Sequence, residues 1–120
     1  MNTPGADVWF SAMLRFVILV RDEGGTELLR SLIVFRAPDW PEAQERAVEL
    51  GRGMEDSYVG GTGQDVQWRL EAVETLDMLG DDITDGREVY AEPVKLPQGR
   101  TIPWGTEFDP ARSNPGQSGV

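Results

Sequence analysis

The stretch that decides the fold is VWFSAMLRFVILV, residues 8–20. Its even positions are all apolar, whereas its odd positions mix apolar residues with Ser11 and Arg15. Alternation with a period of two, carried by β-branched and aromatic residues, is typical of a strand with one buried face. The sequence therefore predicts a long first strand whose even side chains lie in the core.

A second strand follows after a polar turn. Residues 22–26 read DEGGT and contain the residue types that adopt turn conformations readily. Residues 27–37 then alternate again, with apolar residues at odd positions such as Leu29, Ile33 and Phe35. The two strands are predicted to form a β-hairpin.

A helix is predicted to begin at DWPE, residues 39–42. Asp39 can accept a hydrogen bond from the first turn, Glu42 can reach back, and proline is tolerated there. Apolar residues then recur every three or four positions as far as Tyr58, before glycines at 60 and 61. This spacing predicts a helix over about 40–58 with one apolar face against the sheet.

Two further strands complete the predicted domain. Residues 65–78 alternate with a core side at even positions, and residues 87–92 indicate a short last strand that stops at Pro93. The order β-β-α-β-β predicts an α+β fold, an antiparallel sheet with one helix packed on one face. We expect a short extension over 1–7, one domain over 8–96, and an extended or disordered Pro/Gly-rich tail over 97–120.

Composition excludes several kinds of chemistry. The 120-residue chain fits one domain and contains no Cys and no His. It therefore has no disulfide, no His- or Cys-based nucleophilic site and no thiolate or imidazole zinc site. No spacing singles out a catalytic pair among its 21 acidic residues. We expect no catalytic residues, no metal site and no cofactor.

The net charge of the chain limits the kinds of partner that it can bind. A formal net charge of -10 opposes binding to nucleic acids and to anionic membranes, because both attract cations. The segment 71–92 holds eight acidic residues and one basic residue, which suits either a solvated face or a basic partner. The apolar run at 16–20 is too short to span a membrane, and residues 1–7 carry no basic side chain. We therefore expect a cytoplasmic protein.

The acidic stretch at residues 81–85 shares features with known cation-binding motifs. Residues 81–85, DDITD, share a pattern with motifs that hold magnesium-bound pyrophosphate, but glycines on both sides predict a loop rather than a helix. Alignment with a calcium-binding EF-hand loop fails because Ile83 falls at a ligand position and the flanks are predicted strands. The stretch is expected to be a solvated connection, with weak divalent-cation binding left open.

The hairpin face opposite the helix is unusually apolar for a solvated surface. If Arg21 pairs with Leu28, it carries Trp9, Met13, Arg15, Val17, Leu19, Leu28, Arg30, Leu32, Val34 and Arg36. Aromatic, Met and Arg side chains are enriched at protein interfaces. The predicted interface residues are Trp9, Met13, Arg15, Arg30, Leu32 and Arg36. Two alternatives are that the tail covers this face through Trp104 and Phe108, or that the sheet curls into a half-barrel.

Two classes of function follow from these features. The first is a small acidic non-enzymatic domain that binds another protein or a second copy, in one version as an immunity or antitoxin-like protein. The alternative is a small-molecule-binding protein or an accessory subunit of a biosynthetic enzyme. Its candidate pocket would be lined by Tyr58, Trp68 and Tyr90, which could equally be core residues.

Several short motifs together carry a resemblance to a known family. They are Trp9-Phe10-Ser11-Ala12, Tyr58, Gly63-x-x-Val66-x-Trp68 and Asp85-Gly86-Arg87-Glu88-Val89-Tyr90. With the predicted order of elements, they resemble an uncharacterised bacterial family, domain of unknown function 4288, over about residues 8–91. The resemblance implies a compact α+β domain and supplies no activity and no functional residues.

Overall fold

A computed structural model describes residues 7–113 and 115–116 of the chain. Four strands form one antiparallel sheet in the order β2-β1-β4-β3, and a single α-helix packs on one of its faces. The predicted α+β class is confirmed. The elements are β1 (Val8–Val20), β2 (Gly24–Ala37), α1 (Trp40–Gly53), β3 (Asp56–Val59), β4 (Asp65–Gly80) and a short 3-10 helix (Pro110–Arg112).

The core lies between β1 and α1. Phe10, Leu14 and Phe16 on the even side of β1 are fully buried, as the alternation predicted. The helix contributes the small residues Ala43 and Ala47, which allow its backbone to approach the sheet closely. Burial of these side chains is the main stabilising contribution to the domain, at roughly 25 cal/mol per Å² of apolar surface.

The helix begins as predicted and ends earlier. Asp39 Oδ1 accepts a hydrogen bond from the backbone N–H of Glu42 at 2.9 Å. The helix ends at Gly53, so the predicted end at residue 58 is wrong. Residues 56–59, including Tyr58, form the edge strand β3 against β4 instead, because pairing with a neighbouring strand outweighs the weak helix preference after two glycines.

The hairpin has a tighter turn than predicted. Leu28 pairs with Val17 rather than with Arg21, and a register irregularity lies between Ile18 and Leu19. Asp22 and Gly24 adopt a positive φ of 74°, which closes the turn in three residues. The observed register of β2 against β1 differs from the predicted register by an even number of residues. The same side chains therefore still share each face of the sheet.

The predicted last strand over 87–92 is wrong. Residues 81–92, here called the strap, cross the face of the sheet opposite α1 instead of extending its edge. The Ser11 hydroxyl, fully buried on that face, donates to the Val89 carbonyl at 2.6 Å. Arg87 donates to the Leu79 carbonyl at 2.6 Å. Side-chain hydrogen bonds from Ser11 and Arg87 thus hold the strap on the sheet. The periodicity of the sequence does not predict such contacts.

Strand β4 is irregular at three places along β1. Its pairing with β1 skips Glu71, Glu74 and Leu79, so that each is an extra residue of the bulge type. The alternation is thereby reset, and Val73 packs on the core while Glu74 lies on the opposite face. The prediction that even positions face the core is therefore wrong at residues 72 and 74, where the bulges change the parity.

Parts of the predicted terminal segments lie outside the described residues. These are residues 1–6 of the predicted extension and residues 114 and 117–120 of the predicted tail. Within the tail as described, residues 97–113 contain two hydrogen-bonded turns and the 3-10 helix.

Candidate protein-binding surface

The face of the sheet opposite α1, here called the outer face, carries all six predicted interface residues. They form three directly opposed pairs between β1 and β2, since Trp9 lies opposite Arg36, Met13 opposite Leu32 and Arg15 opposite Arg30. Directly opposed residues of an antiparallel pair point to the same side of the sheet. The hairpin therefore brings these six side chains together, although their roles in binding remain a prediction.

The centre of the outer face is an ion-pair network. Arg15 contacts Glu71 at 2.8 Å and Glu74 at 3.1 Å, and Arg30 contacts Glu74 at 2.7 Å. Two opposed arginines would repel each other, and the bulges of β4 place carboxylates beside them. Two of the three predicted interface arginines, Arg15 and Arg30, thus form ion pairs within the chain.

The contacts around Arg30 shift the pKa values of three groups, which are Glu74, Arg30 itself and Tyr90. The hydrogen bond from Arg30 is the main cause that lowers the pKa of Glu74 below its ordinary value near 4.5. The same contact raises the pKa of Arg30. Tyr90 donates to Glu92 at 2.7 Å, and this bond raises the pKa of the phenol. The ionised form of Glu74 is therefore the form that the folded state favours.

The strap covers part of the outer face. Glu92 at its end lies 3.5 Å from Arg30, and Val89 lies over Ser11. The sequence alternative that the tail covers this face through Trp104 and Phe108 is not what the structure shows, since both side chains are exposed. The strap is therefore the cover, and within it the Glu92 carboxylate contacts Arg30 of the hairpin.

What stays accessible lies along β2, an edge strand of the described sheet. Leu28, Leu32 and Val34 are exposed, and Arg36 lies 5.7 Å over the ring of Trp9. An edge strand directs every second N–H and C=O away from its neighbour, and long apolar edges are prone to pair with other chains. By contrast, β3 is only four residues long, and the Glu55 side chain accepts from the Leu70 N–H beside it.

An open groove of about 1150 Å³ follows the edge of β2 over its last residues, with the outer-face side chains of Trp9, Val34 and Arg36 on one side and α1 on the other. Five carboxylates line it against two guanidinium groups, and its apolar part includes Trp9, Val34 and Leu50. The charged residues are Asp7, Asp39, Glu42, Glu45, Glu49, Arg36 and Arg46. Sequence reasoning missed this groove, because it identified the helix acids only as outward-facing. Their position over the β2 edge requires the helix packing.

The three aromatic residues of the candidate pocket are divided between the two faces. Trp68 Nε1 donates to Tyr58 Oη at 3.2 Å, on the side of the sheet that carries α1. Tyr90 lies in the strap on the outer face, bonded to Glu92 beside Arg30. The structure thus brings two of the three residues together and places the third elsewhere.

The described residues lack two other kinds of site. Among residues 7–113 and 115–116, no group of three or more Asp or Glu side chains is arranged to hold a metal ion. Over the same part of the chain, no helix has the length and apolar character needed to cross a membrane.

Comparison with known proteins gives a match to a protein family. A family model described as "Domain of unknown function (DUF4288)" matches residues 9–91, which comprise the sheet, the helix and most of the strap. No curated protein and no solved structure matches the chain.

Proposed function

The chain belongs to the DUF4288 family, and because the family's description names no activity, we propose a function from the surface: a non-enzymatic domain that binds another protein. The observation that carries this proposal is the acidic groove beside the exposed edge of β2. We place this action in the cytoplasm.

The groove favours an extended, basic segment as the bound partner. Its carboxylates outnumber its cations, so a chain carrying Lys or Arg would be attracted. The main chain of β2 can pair with an extended backbone, and Leu32 and Val34 offer apolar contacts for alternate side chains. An immunity or antitoxin-like role fits this chemistry, since electrostatic steering speeds the capture of a basic protein.

The test is a selection from a displayed library of random peptides against the full chain. We expect the enriched peptides to be rich in Lys or Arg and to bind more weakly as salt is added. Their binding should fall at least roughly tenfold in a variant with Glu45→Lys and Glu49→Lys, both exposed on α1.

The matched control carries Asp81→Lys and Asp82→Lys. It makes the same change in net charge at two strap residues that do not line the groove, and it should bind nearly as well as the natural chain. If both variants lose binding equally, the attraction belongs to the net charge and the groove proposal is wrong. Absence of any enriched peptide would also contradict it.

A further inference from the structure

The tail beyond the strap presents apolar side chains to solvent. Val94 is 80% exposed, Phe108 78% and Trp104 completely, and Leu96 and Ile102 are about half exposed. The radius of gyration of 18.9 Å exceeds the ~14 Å of a compact chain of this length. Residues 93–113, here called the arm, therefore extend from the domain with a row of apolar side chains uncovered.

The arm has a defined local shape. Arg100 N–H donates to the Pro97 carbonyl, and Thr106 N–H donates to the Pro103 carbonyl. Gly99 and Gly105 provide the positive φ, 83° and 84°, that each turn requires. A segment that is already shaped loses less conformational entropy on binding than a flexible tail.

The arm and the groove are complementary in chemistry. Lys95, Arg100 and Arg112 outnumber Glu107 and Asp109 in the arm, in a chain whose acidic residues outnumber basic ones by 21 to 11. The groove has the opposite excess. Proline-rich extended segments also dock readily in grooves that contain an aromatic residue, which Trp9 supplies here.

The arm also begins beside the receiving strand. Glu92, the last residue of the strap, contacts Arg30 of β2 at 3.5 Å. Two copies related by a two-fold axis can therefore each extend an arm along the other's β2. In such an exchange each arm occupies the groove of the other copy. No arm or groove is left free for a third chain, so the assembly stops at two chains.

We propose that the groove along β2 binds the arm of a second copy of this chain, so that the protein is an arm-exchanged homodimer. This inference rests on the proposed function, since it names the partner of that same groove. Trp104 and Phe108 are the anchors of the contact, and the acids of α1 attract the cations of the arm.

The experiment measures the solution mass of the full chain by analytical ultracentrifugation over a range of concentrations. We expect twice 13.3 kDa. The double variant Trp104→Ala and Phe108→Ala should weaken dimerisation by roughly thirtyfold, because buried aromatic anchors dominate interface energies. Both side chains are exposed in the single chain, so the fold should be unaffected. Val59→Ala, exposed on β3, is the matched control and should leave the mass unchanged.

A mixing experiment separates arm-to-groove contacts from arm-to-arm contacts. The arm variant keeps its groove, and the Glu45→Lys, Glu49→Lys variant keeps its arm. Each alone should be mostly monomeric, while the mixture should form a heterodimer with one natural arm-to-groove contact. A mixture that stays monomeric would contradict the exchange.

Three other results would overturn this inference. They are a natural chain that stays monomeric up to millimolar concentration, a monomer whose own arm protects β2 from hydrogen exchange, and a dimer insensitive to the arm variant. None of them decides the proposed function, which depends on whether the groove variant loses its selected peptides. A natural dimer with no enriched peptide would instead support the exchange while contradicting binding of other proteins.

Discussion

At the residue scale, the outer face contains a buried polar group without a hydrogen-bond partner among the described residues, the hydroxyl of Thr75. Thr75 lies opposite Met13 on the face that the strap partly covers. A buried hydroxyl without a partner costs free energy, because it has lost its hydrogen bonds to water and gained none in the protein.

Replacing this hydroxyl by a methyl group should stabilise the protein. We expect Thr75→Val to raise the free energy of unfolding by about 1 kcal/mol, since the shape is kept and the unsatisfied oxygen is removed. Thr75→Ser is the matched control, because it keeps the hydroxyl and loses the methyl group, and it should destabilise. Chemical denaturation of the three proteins checks this, and a less stable Val variant would contradict it.

At the element scale, the hairpin and the start of α1 could be predicted because their signals are local. The alternation of β1 and the Asp39 cap each depend on residues within a few positions. The end of the helix could not be predicted in this way, since residues 56–59 form a strand only because β4 lies beside them. The bulges at Glu71 and Glu74 likewise depend on the partner strand β1.

The last turn of α1 contains two glycines, Gly51 and Gly53, whose surroundings differ. A Cβ at Gly51 would lie 3.0 Å from both Leu70 methyl carbons and 3.4 Å from Leu14 Cδ1, whereas a Cβ at Gly53 would meet nothing within 4 Å. Gly53→Ala should therefore stabilise by up to about 1 kcal/mol through backbone entropy. Gly51→Ala should destabilise by about 1–3 kcal/mol, because the packed core resists the added methyl.

Thermal unfolding of the two variants measures this difference. Helix preference alone would make both substitutions favourable, so it predicts the same sign for each. Two equal gains would show that α1 can move away from Leu70 at little cost, against the close packing described above.

At the scale of the whole molecule, one carboxylate connects distant parts of the chain. Glu74 of β4 contacts Arg15 of β1 and Arg30 of β2, and Arg30 also contacts Glu92 of the strap. Its side chain is the least exposed of this network. Protonation of Glu74 would therefore weaken the ion pairs that link β4 to β1 and β2.

Stability should consequently fall in acid through this residue. The folded-state pKa of Glu74 lies below its ordinary value near 4.5, so its contribution is complete above that value and is lost as the pH falls through the folded-state pKa. Denaturation curves of the natural chain and of Glu74→Gln, measured from neutral pH downwards, should converge in acid. Arg30→Gln removes the partner and should give the same convergence. Curves that stay parallel would contradict the assignment.

The sequence by itself determined the α+β class, the long first strand, the hairpin faces and the start of the helix. These features depend on alternation and capping, which are properties of neighbouring residues. Only the tertiary structure decided where the strap runs, which acids neutralise Arg15 and Arg30, and that an open acidic groove lies along β2 and α1. Those arrangements join residues far apart in the chain, and long-range contacts are chosen by packing and charge in three dimensions, which local patterns do not encode.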